Sequence, residues 1–171
     1  MKNKVDVAII GAGFAGSILA SALSKSGLRV ALIDSTHHPR FAIGESSTPL
    51  ADMILRRLAR NYQLPFLEAL STWGSWQSQF PHLTCGRKRG FSYYQHYRKQ
   101  DYSEQKLGQH SLLVAASENN DVADTHWYRE EVDEFLYREA INHGAMEFLG
   151  HEIVQITDDK SGAFILRSIN E

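Results

Sequence analysis

An α/β fold with a parallel sheet is the class this sequence predicts, and three observations carry the prediction. Two short apolar runs flank an alanine-rich stretch of helical period. A cluster of glycines joins the first run to that stretch. A single acid, Asp34, closes the second run.

The elements follow in order. Val5, Val7, Ala8, Ile9 and Ile10 read as a strand buried on both faces, the pattern of a parallel sheet. Gly11, Ala12, Gly13, Phe14, Ala15 and Gly16 spell G-x-G-x-x-G. Ile18, Leu19, Ala22 and Leu23 recur at helical spacing, and Gly27 is a natural stop. Residues 28–33 predict a second buried strand, which Asp34 ends 18 positions after Gly16. In this pattern the first glycine permits a tight turn. The second lets the backbone approach a pyrophosphate, and the third lets the helix pack on the strand. The free N–H groups and dipole at the helix start favour phosphate, and the acid suits a ribose hydroxyl. Strand, glycine turn, helix, strand and acid fall within the span of about 30 residues that dinucleotide binding requires. The reading is therefore a Rossmann-like βαβ unit that holds a dinucleotide.

Residues 35–60 carry more specific information. PRFAIGESSTP resembles the segment after the second strand in FAD-dependent monooxygenases, most closely in flavin-dependent halogenases. The resemblance implies a glutathione-reductase-type FAD-binding domain. Arg40 and the turn Gly44-Glu45-Ser46-Ser47 would lie along the FAD. From the residues alone, Arg40 also suits a surface position or an NADP 2′-phosphate, though Asp34 would repel that phosphate. Thr48 is a fitting helix cap and Pro49 a fitting first residue, with Leu50, Ile54, Leu55 and Leu58 as the expected apolar face. Residues 124–145 predict a helix with Trp127, Val132, Phe135, Leu136 and Ala140 on one face and Gly144 at its end. Its Arg-Asp-Leu pattern resembles the family's arginine-bearing motif, which implies that Arg129 reaches the flavin nucleotide and that Asp133 and Leu136 support the helix. The same charges also read as a solvated face. Three short strands are expected over 145–149, 152–157 and 163–168, with residues 158–162 as the last turn.

The middle of the chain is rich in aromatic residues. Phe91, Tyr93, Gln95 and Tyr97 alternate with Ser92, Tyr94 and His96 at strand period. They would either line a pocket for a flat organic substrate or form a strand with one buried face. CGRKRGFSYYQH resembles the halogenase segment that carries a reactive lysine before a glycine and a strand, which makes Lys88 the implied catalytic residue. Arg87, Lys88 and Arg89 equally form a small basic cluster.

The resemblance covers nearly all 171 residues but only the front part of the family. Full-length relatives add a W-x-W-x-I-P motif, which Trp73-Gly74-Ser75-Trp76 does not match, and a second FAD motif. Residues 1–171 are thus expected to be the N-terminal part of an FAD-binding domain, incomplete relative to full-length members, with 66–120 a substrate-side insertion. The implied reaction uses reduced FAD and oxygen to form hypohalous acid, which halogenates an organic substrate. Implied partners are a small aromatic substrate, free or carrier-bound, a halide ion and a separate flavin reductase. The competing expectations are a hydroxylating FAD monooxygenase, a non-catalytic FAD-binding module that needs a partner chain, and an NAD(P)-dependent dehydrogenase, which PRFAIGESS disfavours.

Composition limits the alternatives. A formal net charge of −2, with basic and acidic residues interspersed, gives no footprint for nucleic acid or an anionic membrane. The single cysteine, Cys85, allows no internal disulfide and points to a reducing, cytoplasmic setting. Asp6 and the glycines interrupt the first apolar run, so it does not read as a signal peptide, and no run is long enough to span a bilayer. The eight histidines show no metal-ligand spacing, so no metal is expected.

Overall fold

The computed structural model describes residues 4–103, 109–115, 117–159 and 161–170. In chain order the elements are β1 (Val7–Ile10), α1 (Phe14–Lys25), β2 (Val30–Asp34), α2 (Pro49–Tyr62), α3 (Pro65–Ala69), α4 (Trp73–Gln79), β3 (Cys85–Lys88), β4 (Gly90–Tyr94), β5 (Ser111–Ala115), β6 (Asp124–Trp127), α5 (Arg129–Asn142), β7 (Met146–Leu149), β8 (His151–Asp158) and β9 (Phe164–Asn170). They divide into two compact units. The first comprises Met1–Gly44, Leu58–Leu64 and Tyr128–Glu171, and the second Glu45–Arg57 and Pro65–Trp127.

The first unit is built on a parallel sheet of order β1-β2-β7. All five residues of the central strand β2 are buried. Helices α1 and α5 pack on each other. Ile9, Ala12, Ala20, Val30, Leu32, Tyr137, Ala140 and Ala145 form the core. Small side chains on α1 allow that close packing. The first apolar run does not bury both faces: only Ile9 of β1 is buried and Ile10 is 56% exposed. Among the described strands β1 pairs only with β2, so it is an edge. On α1, Ile18 and Ala22 are buried as expected, whereas Leu19 faces outward. Gly27 has φ +86° and turns the chain after α1, so Leu28 stays exposed and the strand starts at Val30. Helix α5 starts at Arg129, because Trp127 belongs to β6. Its buried face is Val132, Asp133, Leu136, Tyr137 and Ala140, with Phe135 only half-buried. Gly144, at φ +101°, follows its last turn. The three terminal strands form as expected, with β8 and β9 paired antiparallel. Asp159 Oδ1 organises their turn by accepting from Ser161 and Ala163, while Lys160 lies outside the described residues.

In the second unit β3 pairs with β6 and β4 with β5, both antiparallel. Trp76 of α4 is fully buried and its indole N–H donates to the Leu83 carbonyl. The side chain of Thr48 caps α2 through the Ala51 N–H, as expected. The buried face of α2 is Asp52, Leu55 and Ala59, not the expected Leu50 and Ile54, which are exposed. The aromatic run does not continue as one strand. β4 stops at Tyr94, and the chain turns at 97–100, where Lys99 takes φ +60° and Gln100 N–H donates to the Tyr97 carbonyl.

Candidate functional site

The glycine turn of the first unit is defined by backbone geometry. Gly11 has φ +109°, a conformation that disfavours any side chain, and its N–H donates to the Ile33 carbonyl at 2.7 Å. A Cβ on Gly16 would lie 1.9 Å from the Gly11 carbonyl oxygen, so only glycine allows this contact between helix and turn. Gly13 caps α1 without a side-chain hydrogen bond, and no acid stands in the first turn. The start of α1, which includes Phe14 and Ala15, thus carries no acidic side chain of its own, and its dipole suits an anion.

Ala12 sits at the centre of the turn and is fully buried. Its N–H donates to Asp34 Oδ2 at 2.8 Å, and its carbonyl accepts from Ser17 Oγ at 3.0 Å and His38 Nε2 at 2.9 Å. His38 stacks on Tyr137, 5.0 Å between ring centroids. Asp34 Oδ1 accepts from the Thr36 N–H and hydroxyl, and Arg40 Nη2 reaches Oδ2 at 3.2 Å. Burial works against the charged carboxylate, but the Thr36 and Ala12 hydrogen bonds and the Arg40 charge outweigh it, so Asp34 is held below the usual carboxylate range. Arg129 donates through Nε and Nη2 to both carboxylate oxygens of Asp133 and through Nη1 to the carbonyls of Ile43 and Gly44. Its guanidinium lies over the Phe14 ring, 5.7 Å from the centroid. Asp133 is fully buried, so this face of α5 is an internal ion pair rather than a solvated surface.

The residues fit a flavin dinucleotide. The helix start bears no acid, Asp34 is charged, and Arg40 Nε is buried with no partner among the described residues. A Cβ on Gly13 would stand 3.3 Å from Arg40 Nη2 and 3.5 Å from Asp133 Oδ2, so the bare glycine keeps that cradle open.

Lys88, in the second unit, is not a solvated surface lysine. Its Nζ donates to the Ser47 carbonyl at 2.6 Å and lies 3.9 Å from the Phe91 ring centroid. Ser47 is itself fully buried, and its Oγ accepts from the N–H and hydroxyl of Thr125. Glu45 and Ser46 complete this seam: the Trp127 N–H donates to the Glu45 carbonyl, and Ser46 Oγ bonds His126 Nδ1 at 2.9 Å. Phe91 and Tyr93 stack along β4, and Tyr93, Tyr94, Leu112 and Leu113 of the β4–β5 hairpin are exposed. Burial pushes the Cys85 thiol up to about 12, so it is no nucleophile at neutral pH.

Sequence reasoning missed His38, His126 and the pair Asp52–Asp124. Asp52 did carry a signal: it stands three and seven positions before Leu55 and Ala59, on the face the helical period assigns to the core.

A Rossmann-like sheet with this glycine turn and acid defines a dinucleotide-binding protein. The family described as FAD dependent oxidoreductase matches residues 6–167, and the chain belongs to that family. FAD is the cofactor of the family. The chain is 30% identical over 169 residues to monodechloroaminopyrrolnitrin halogenase of Pseudomonas fluorescens, covering 99% of this chain and 29% of that protein. It is also 30% identical over 162 residues to tetracycline 7-halogenase of Kitasatospora aureofaciens, covering 94% and 28% of the two chains. The fold matches the crystal structure of halogenase PltM in complex with phloroglucinol and FAD with TM-score 0.81 and 31% identity, over 99% of this chain and 32% of that one. The chain thus spans less than a third of the length of these relatives. Among the described residues no helix is long and apolar enough to cross a membrane.

Proposed function

We propose that this chain supplies the FAD-binding residues and the reactive lysine of a flavin-dependent halogenase. The observation that carries this reading is Lys88, half-buried between the Ser47 carbonyl and the Phe91 ring in a chain that resembles two halogenases along nearly its whole length. Gly11, Ala12, Gly13, Phe14, Ala15 and Gly16 would receive the pyrophosphate, Asp34 the ribose, and Arg40, Gly44 and Arg129 the rest of the nucleotide. Glu45, Ser46 and Ser47 would form the flavin-side turn. Bound FAD, reduced by a separate reductase, supplies with oxygen and halide the hypohalous acid that is the oxidant.

The ammonium of Lys88 has three N–H donors, and Ser47 takes one. A second donates to the oxygen of hypohalous acid. That oxygen then leaves as water while the substrate carbon takes the halogen and gives up a proton. Phe91 holds the lysine stem in place and excludes water from one side. We further propose that the 66–120 stretch is the substrate side, because the aromatic groups of β4 and the exposed apolar residues of β5 suit a flat ring, free or tethered to a carrier. The free Cys85 suits a reducing cytoplasmic setting.

The test is Lys88→Ala in the complete protein. FAD binding and oxygen consumption should persist while halogenated product is lost. Halide-independent hydroxylated product would instead support the monooxygenase reading, and halogenation at the parent rate would refute the role of Lys88.

A further inference from the structure

The second unit holds a pocket of about 380 Å³, lined by Pro49, Asp52, Arg56, Ser117, Glu118, Val122 and Asp124. At its floor two acids from distant parts of the chain meet. Asp52 comes from α2 and Asp124 from β6, and they are only 2% and 3% exposed. Burial first, then the hydrogen bond and the charge of Asp124, push Asp52 up to about 7, and Ser47 and Arg56 offset this only in part. Asp52 thus binds a proton far more readily beside Asp124 than an ordinary carboxylate does.

Asp52 and Asp124 hydrogen-bond to each other, but among the described residues no donor reaches three buried oxygens of this pocket: Asp52 Oδ1, Asp124 Oδ2 and Ser117 Oγ. Ser117 is 7% exposed and arrives on a separate loop. That loop is fixed in place. Arg89 donates to the carbonyls of Ser117 and Glu118 at 3.0 and 3.2 Å and to Asn120 Oδ1 at 2.9 Å. Asn119 Oδ1 accepts from the N–H groups of Asp121 and Val122. Arg89 of the basic cluster therefore builds a pocket wall. Buried polar atoms are satisfied in the great majority of native sites, and three orphans around one pocket point to a ligand that supplies donors.

We propose that this pocket binds the primary ammonium group of a small organic amine. An ammonium has three N–H donors for the three orphan oxygens and a positive charge for the acid pair. Pro49 and Val122 offer apolar contact to the carbon it carries, while Arg56 and Glu118 oppose each other in sign and leave the acid pair to set the preference. Lys88, the cross-strand partner of Asp124, has its Nζ on the Ser47 carbonyl. A metal ion is the poorer match, since among the described residues no three His, Cys, Asp or Glu side chains gather to hold one.

The test titrates the chain, labelled at its aspartate carboxyls, with n-butylammonium chloride and follows the carbon resonances of Asp52 and Asp124. Both should shift saturably, and n-butanol at the same concentration should not move them. The cation must displace the proton that Asp52 takes up around pH 7, so its affinity should be about tenfold higher at pH 8 than at pH 6. Asp124→Asn should weaken binding at least tenfold with an unchanged circular dichroism spectrum. Ser117→Ala, which leaves both acids in place, should weaken it several-fold and serves alone if Asp124→Asn does not fold. Absence of saturation, an equal response to n-butanol, unchanged affinity in Ser117→Ala, or magnesium binding that excludes the amine would each overturn the proposal.

Discussion

Gly16→Ala isolates what the glycine turn contributes. The new Cβ would stand 1.9 Å from the Gly11 carbonyl oxygen, 3.1 Å from its carbon and 3.3 Å from Ile9 Cγ2. A carbon meets a carbonyl oxygen at about 3.3 Å, so the gap is short by roughly 1.4 Å. The obstacle is backbone and cannot rotate away. Gly11 is held by its bond to Ile33 and by its own φ of +109°, so α1 must move off the strand. Overpacking costs about 1–3 kcal/mol, and a backbone clash roughly 1.4 Å deep falls at the upper end, about 2–3 kcal/mol, against about 1 kcal/mol gained by replacing glycine with alanine in a helix. The net loss is about 1–2 kcal/mol, which for a chain of this size lowers Tm by about 2–8 °C. Calorimetry reads the Tm, and quenching of flavin fluorescence reads FAD affinity, which should fall as well. Gly13→Ala is the control. Its φ is −81° and its nearest neighbours are the ends of two side chains at 3.3 and 3.5 Å, so Tm should hold while FAD affinity falls. A Gly16→Ala protein as stable as the parent would show that helix propensity outweighs the contact and would refute the reasoning.

Asp34→Ala should weaken FAD binding by about 1–3 kcal/mol, read by fluorescence titration. Because the folded state holds Asp34 below its ordinary value, its contribution to stability is present above the unfolded value of about 3.9 and is lost as pH falls through the lower folded value. Asp34→Asn should therefore flatten the acid limb of the stability curve below about pH 4, measured by urea midpoints. Arg129→Ala leaves the buried Asp133 carboxylate without its partner and should cost about 3–5 kcal/mol, with Arg129→Lys recovering only part because it cannot span both oxygens. On the proposed halogenase reading, Lys88→Arg in the complete protein should keep FAD but lose halogenated product, since a guanidinium cannot place a single donor on Ser47 from the same position over Phe91; product analysis by mass spectrometry decides it.

The first unit was legible because its signals are local. The G-x-G-x-x-G turn, the spacing to Asp34 and the stops at Gly27 and Gly144 each lie within one element of what they determine, as does the cap at Thr48 in the second unit. Errors arose where burial depends on neighbours that are remote in sequence. Ile10 reads as core, yet β1 has one described neighbour; Leu50 and Ile54 are apolar, yet Asp52 holds the inward face. Trp127 fits the helical period of α5 but is claimed by a ladder to Cys85. The seam around Lys88 joins residues 47, 88 and 125, and the acid pair joins 52 and 124; no spacing rule reaches that far.

Asp34 shows how far a motif reading reaches and where structure adds to it. The motif assigns this acid to a ribose hydroxyl. In the structure its two oxygens already receive Ala12, Arg40 and both donors of Thr36, about the four acceptor sites a carboxylate offers. A ribose hydroxyl can bond Asp34 only where one of these donors yields. Ala12 and Thr36 are fixed by the turn and the strand end, at 2.8–3.0 Å. Arg40 is the longest contact at 3.2 Å, sits on a flexible side chain, and has a buried Nε with no partner. It is the donor that can move. On the proposed reading Asp34 and Arg40 therefore act together: Arg40 neutralises the acid in the free protein, and its release to the nucleotide opens the acceptor that the ribose takes.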